Sequence, residues 1–320
     1  MQLNGIHHIT AVSAQIGVNA DFYTRVLGLR LVKKSVNQDD TSAYHLFYAD
    51  KTGSPGTDMT FFDWAHIGRE QRGSDSFAAS AFRVPSRDAL EWWQLRFEEK
   101  GVAHQAISEF AGRTVLRFDD SEGQRLMLVD DGGAAYDGAY WENGGVPESY
   151  ALRGFYAALI ATPRPDQMEQ IATLLLKHRK VEEHPEANIT GPPVTVYATG
   201  DGGPGRELWV MEDTSASAYP GAGGVHHVAF RVADAEEQLA WRSHLTAMGA
   251  GVSEVIDRFW FKSIYFRVSR GLLCEIATDG PGFAVDEHPD ALGERLVLPP
   301  FLEDRRAQIE AGLKPIAVEK

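Results

Sequence analysis

Two peptides more than two hundred residues apart, Gly5-Ile6-His7-His8-Ile9 and Gly224-Val225-His226-His227-Val228, are almost identical. Each opens a stretch that reads as a β-strand. A repeat constrains a fold more firmly than local propensity does. This one predicts two copies of a first strand, each delivering a histidine to one metal ion.

The rest of the chain divides into four copies of one unit. Each has an apolar first strand, a polar turn, an amphipathic helix, and two or three closing strands. In unit one the strand is Ile6 to Val12 and the helix Asn19 to Leu27, stopped at Gly28, with strands at Tyr44 to Tyr48 and Met59 to Phe62. Unit two has Phe77 to Val84, a helix from Ser86 to Lys100, and strands at Thr114 to Phe118 and Arg125 to Val129. Ser86 is a good N-cap and Gly101 a good stop. Unit three has Gly154 to Ile160, a helix from Asp166 to about His178, then Val194 to Ala198 and Glu207 to Met211. Unit four has Val225 to Val232, a helix from Asp234 to Met248, then Ile264 to Val268 and Leu272 to Ala277. The expected class is α+β, four βαβββ modules forming two domains of paired modules. Gly and Pro punctuation sets the boundaries at 1–135 for an N-terminal pair, 136–150 for a linker, 151–280 for a C-terminal pair and 281–320 for an extension that covers a surface.

Composition narrows the partners. The 320 residues are 43% hydrophobic, enough for a sizeable core. With 45 acidic against 31 basic residues, the net charge of −14 argues against nucleic acid or an anionic membrane and for a small molecule. The single cysteine, Cys274, excludes an intrachain disulfide, and no signal or spanning segment is visible, so a cytoplasmic protein is expected.

Neighbouring side chains on a strand point to opposite faces, so one histidine of each pair should face the site. His8 shares a face with Thr10, and His227 shares one with Arg231. These more polar faces favour His8 and His227 as the inward pair. Glu275, inside the apolar run Leu272-Leu273-Cys274-Glu275-Ile276-Ala277, is costly to bury unless it meets a cation. Two imidazoles and one carboxylate are the set used by non-haem Fe(II) oxygenases, with three positions left open for substrate and O2; Mn(II) and Zn(II) accept the same ligands. Met59 to Phe62 offers no carboxylate for a fourth ligand, and units one and four must meet, within one chain or across a dimer. His45, His66, His104, His178, His184, His244 and His288 read as surface or packing residues.

The chain resembles the vicinal-oxygen-chelate superfamily (glyoxalase, bleomycin resistance, extradiol dioxygenase), and within it the ring-cleaving dioxygenases of hydroquinones. The resemblance runs over essentially the full length, through Gly5 to Thr10, Asp21 to Lys34, Gly53 to Thr57, His226 to Val232, Asp257-Arg258, Ser263 to Arg267 and Glu275 to Asp279. It implies that His8, His227 and Glu275 hold Fe(II) or Mn(II), and that His7, Thr10, His226, Arg258 and Tyr265 act around the metal. Phe259-Trp260-Phe261 is bulkier than the best-matched members carry there, which bears on substrate size.

The implied enzyme is an extradiol-type dioxygenase that inserts O2 into a hydroquinone or catechol. His226 would move protons, Tyr265 would donate to a bound oxygen, and Arg258 would face developing negative charge. A surface ion pair with Asp257 or a nearby acid is the plainer reading of Arg258. Competing expectations are a glyoxalase-like isomerase or lyase, which wants a fourth ligand, and a metal-free protein that sequesters an aromatic compound. A homodimer is compatible with any of them.

Overall fold

All four units form in the structure, a computed structural model that describes residues 1–185 and 191–316. Unit one comprises β1 (Ile6–Ser13), α1 (Ile16–Asp21, continued as a π-turn to Val26), β2 (Arg30–Val36), β3 (Tyr44–Ala49) and β4 (Asp58–Asp63). Unit two comprises β5 (Ser76–Val84), α2 (Arg87–Lys100), β6 (Ser108–Phe110), β7 (Arg113–Asp119) and β8 (Arg125–Asp130). Unit three follows as β9 (Phe155–Thr162), α3 (Pro165–Gln170, again continued as a π-turn), β10 (Arg179–His184), β11 (Val194–Ala198) and β12 (Glu207–Glu212). Unit four is β13 (Val225–Val232), α4 (Ala235–Ala247), β14 (Ile256–Asp257), β15 (Lys262–Arg267) and β16 (Leu273–Thr278), and the extension carries α5 (Arg306–Gly312).

Local chemistry accounts for the helix limits. The Ser86 hydroxyl accepts from the Ala89 amide and Gly101 closes α2 in the left-handed conformation, at φ 69°. Asp234 caps α4 by accepting from the Glu236 and Glu237 amides. Among the described residues, no helix is long and apolar enough to cross a membrane.

The strands assemble into two eight-stranded sheets, in the orders β14-β15-β16-β13-β1-β4-β3-β2 and β10-β11-β12-β9-β5-β8-β7-β6. Unit one is therefore paired with unit four, and unit two with unit three. The expected pairing of one with two inside 1–135 and three with four inside 151–280 is corrected by this order. The reason lies in the first strands. β1, β5 and β9 are buried along their whole length and β13 over its centre, so each needs a partner on both edges. The closing strand β4 covers one edge of β1, and the antiparallel partner β13 covers the other. One apolar cluster then runs from α1, α2, α3 and α4 to one face of each sheet, so the two halves of the chain share a core.

A glycine makes this junction possible. Gly5 has φ +106°, and a Cβ there would lie 2.4 Å from the carbonyl oxygen of Gly205, which accepts the Ile6 amide. Gly154 stands in the same relation to Gly56 at the start of β9.

The extension crosses the inner face of the first sheet. Lys33, fully buried on β2, meets the carboxylates of Asp286 and Glu287 and the Phe283 carbonyl. Asp286 also accepts from the Trp260 indole at 3.0 Å, so this ion cluster clamps the extension to Trp260 and the sheet.

Candidate metal centre

The site lies where β1 and β13 run side by side, and a pair of β-bulges makes it. Ile6 pairs with Phe230 and His8 with Ala229, so two steps on β1 match one on β13, and His7 is the extra residue. Further along, Thr10 pairs with His227 and Ala11 with Val225, so His226 is the extra residue on β13. A bulge breaks strict alternation and brings two consecutive side chains towards one side. His7 accordingly does not point away with Ile9, as alternation predicts. Its Nδ1 lies 2.9 Å from Nδ1 of His8, and Nδ1 of His226 lies 2.7 Å from Nδ1 of His227.

These contacts set which nitrogens face the site. His7 Nε2 lies 3.2 Å from the Thr278 carbonyl, which only accepts, so His7 carries its proton on Nε2. Burial, and then the neighbouring His8, push His7 down to about 3, so it is a neutral imidazole with a free Nδ1 lone pair. His8 must donate to it through Nδ1, which leaves the His8 Nε2 lone pair directed into the site. Burial, and then His227, likewise push His226 down to about 3. The rings of Phe62 and Trp64 enclose it edge-on at 5.4 and 5.5 Å.

β16 pairs with β13 so that Glu275 stands beside Ala229. Glu275 Oε1 accepts from Ser263, while Oε2 lies 3.4 Å from His8 Nε2 and 3.0 Å from His227 Nε2, which are 3.3 Å from each other. Oε2 is buried and receives no well-formed hydrogen bond. Burial alone would raise this carboxyl, but a proton held between it and the His8 and His227 nitrogens keeps it well below the usual carboxylate range, and a cation bound there would take that proton's place. Ligands about 2.1 Å from one ion and at right angles to one another are roughly 3 Å apart, so the three atoms suit a divalent cation. Among the described residues this is the one cluster of its kind.

The fourth-ligand position is occupied by a threonine. By the two-fold relation of β1 to β13, the counterpart of Glu275 on β16 is Thr60 on β4, paired with Thr10 as Glu275 is with Ala229. Its hydroxyl is 2.8 Å from that of Thr10 and 3.0 Å from Nε2 of His45.

A cavity of about 30 Å³ opens over His8 and His227. It has room for about one water and is too tight for an aromatic ring without side-chain movement. Tyr265, Arg258, His45, Phe47, Phe62, Trp260 and Phe261 form its walls. Tyr265 stands opposite Glu275 on β15, with its ring edge-on to His227 at 5.7 Å. Burial, then the Glu275 charge, raise its hydroxyl above the ordinary value, so it is a protonated donor. Arg258 lies over the Tyr265 ring at 5.6 Å and pairs with Asp39 at 2.8 and 3.2 Å. Its partner is thus on the β2–β3 turn, not Asp257, and Gln38 adds a hydrogen bond to the Arg258 carbonyl at 2.9 Å.

Of the sequence-derived residues, His8, His227 and Glu275 converge, and Tyr265 and Arg258 line the cavity. His7, His226 and Thr10 lie behind that lining. His45 was read as a packing residue, yet it forms part of the cavity wall. Alternation along Tyr44 to Tyr48 places His45 with Phe47 on one face, and this was the available signal.

Comparisons with known proteins bear on the family and the fold. Residues 5–128 match the model of the Glyoxalase/Bleomycin resistance protein/Dioxygenase superfamily. The chain is 43% identical over 319 residues to a protein of Bacillus subtilis (strain 168) provisionally named ring-cleaving dioxygenase MhqA, covering 99% of this chain and 100% of that one. It is 30% identical over 311 residues to the chlorohydroquinone/hydroquinone 1,2-dioxygenase of Sphingobium indicum, covering 94% of this chain and 93% of that protein. A solved structure of a provisionally assigned dioxygenase from Bacillus subtilis superposes with a TM-score of 0.91 at 36% identity, covering 100% of this chain and 99% of the other. Glyoxalase I of Zea mays, at 11% identity and a TM-score of 0.63 over 86% of this chain and 92% of its own, shares the fold alone. With relatives matched end to end and the paired βαβββ sheets in place, the chain belongs to the glyoxalase/bleomycin resistance/dioxygenase superfamily, among its ring-cleaving dioxygenases.

Proposed function

We propose that this protein is a ring-cleaving dioxygenase that opens a dihydroxylated aromatic of the hydroquinone or catechol class beside a hydroxyl-bearing carbon. We assign Fe(II) to its centre, with Mn(II) as the alternative, on His8, His227 and Glu275. The observation that carries this reading is the convergence of the buried Glu275 Oε2 with the Nε2 atoms of His8 and His227, with Thr60 where a fourth ligand would stand. A ferrous or manganous ion held there would supply Lewis-acidic and redox chemistry toward substrate and O2.

The chain's own residues divide the remaining work. His7 and His226 orient the two ligand imidazoles through their Nδ1 contacts, a function that suits neutral rings lying behind the cavity wall. Proton movement passes instead to Tyr265, whose protonated hydroxyl borders the cavity beside Glu275. Arg258 provides a fixed cation at the cavity rim, partly neutralised by Asp39. Phe47, Phe62, Trp260 and Phe261 give an aromatic ring apolar walls and keep water out. A four-ligand isomerase is disfavoured by Thr60, and a metal-free sequestering protein by the unpaired Glu275 Oε2.

Anaerobic loading with Fe(II) or Mn(II), addition of hydroquinone or catechol and admission of O2 should give O2 uptake with a ring-opened product. No uptake with either metal across a panel of dihydroxybenzenes would overturn the assignment.

A further inference from the structure

We propose that His45 recognises the substrate by hydrogen-bonding a ring hydroxyl that does not reach the metal centre. The proposal rests on the dioxygenase reading for the identity of its ligand, and on the structure for the residue. Three polar side chains from three adjacent strands form a line: Thr10 on β1, Thr60 on β4 and His45 on β3. The line starts on the strand that carries His8 and ends in the cavity wall. His45 Nε2 is taken by Thr60, and its Nδ1 has no protein partner among the described residues.

The ring is also fixed in place. His45 lies against Phe47 with centroids 4.0 Å apart and against Phe62 at 4.5 Å, so little rotamer freedom remains to be lost on binding. Burial, and then the nearby His8 and His227, hold His45 well below its ordinary range, so it meets a ligand as a neutral imidazole.

The two-fold relation within the sheet explains why a recognition group can stand here. Ser263 is bonded to Glu275 on one side, and His45 is bonded to Thr60 at the equivalent place on the other. On the Glu275 side the polar pair serves the cation. On the Thr60 side no cation ligand is present among the described residues, and the pair ends in an imidazole that lines the cavity. Strands lie about 4.8 Å apart, so β3 stands roughly 10 Å from β1, and once a side chain of the cavity wall moves aside that separation admits a benzene ring spanning from the ligand histidines to His45. Two para hydroxyls could then be held at opposite ends, whereas the adjacent hydroxyls of a catechol both lie at the metal end.

The test compares affinities without turnover. Mn(II)-loaded protein is titrated anaerobically with hydroquinone, phenol and catechol, with binding read from tryptophan fluorescence, since Trp260 borders the cavity. Wild type should prefer hydroquinone to phenol by about tenfold, the worth of one net hydrogen bond. His45→Leu should reduce that ratio to about one and leave metal content and catechol affinity unchanged. Thr60→Val, which frees the ring without removing it, should lower the ratio by about threefold, and His45→Gln should restore part of it. An unchanged ratio in both His45→Leu and Thr60→Val, or no preference in wild type, overturns the proposal. Discrimination through His45 in a protein that never consumes O2 would refute the dioxygenase reading and leave the recognition role standing. O2 uptake with an unchanged ratio would do the reverse.

Discussion

The two sheets repeat one backbone and fill it differently. Both carry the same pair of bulges: His7 and His226 are the extra residues in the first sheet, Tyr156 and Ala78 in the second. Both place a closing-strand residue beside the same central alanine, Glu275 next to Ala229 in one and Met127 next to Ala81 in the other. The His8, His227 and Glu275 of the first sheet thus correspond to Ala157, Ala79 and Met127 of the second. There the space is taken by Tyr156, Trp209 and Phe110, and by Arg113, which bridges Glu182 and the buried Glu207. The bulge is therefore a property of the fold, and the chemistry belongs to the residues hung on it.

Making the first sheet resemble the second should have the largest effect. Glu275→Met should abolish stoichiometric iron or manganese, measured by elemental analysis, and with it O2 uptake. Added metal should raise the melting temperature of wild type by mass action and leave the variant unmoved. Retained metal in Glu275→Met would remove this residue from the centre.

A smaller loss is expected one layer out. His7→Tyr installs the side chain of Tyr156 and removes the acceptor for His8 Nδ1–H, so metal affinity should fall by roughly 10–100-fold. Chelator competition measures this, and unchanged affinity would mean that the bulge alone orients His8.

The smallest effect should come from opening the second sheet. Arg113→Met leaves Glu207 buried without its cation, and because Arg113 is partly exposed the cost should be about 2 kcal/mol in urea unfolding. Metal content should not change. A fall in metal content would show that the two faces are coupled through the shared core.

The two pairs of histidines and the lone carboxylate in an apolar strand were legible as letters, because metal-ligand chemistry uses few residue types and strand periodicity exposes their faces. The helix ends at Ser86 and Asp234 were legible for similarly local reasons. The first strand after each helix was not. β2 reads Arg-Leu-Val-Lys-Lys-Ser-Val and β10 reads Arg-Lys-Val-Glu-Glu-His, both too charged for a strand pattern, and both lie at sheet edges. Lys33 is buried only because Asp286 and Glu287 arrive from the far end of the chain.

Sequence by itself determined that there are four units, that the first and fourth must meet, and which three side chains can hold a cation, since these follow from repetition and residue chemistry. Tertiary structure alone decided the rest. Pairing of unit one with unit four depends on which fully buried strand edges find each other, and the bulges that turn His7 and His226 towards the site exist only in the register of β1 against β13. Alternation along Tyr44 to Tyr48 puts His45 on the face of Phe47, but that this face borders the cavity follows only from the strand order β1-β4-β3 and the contact with Thr60.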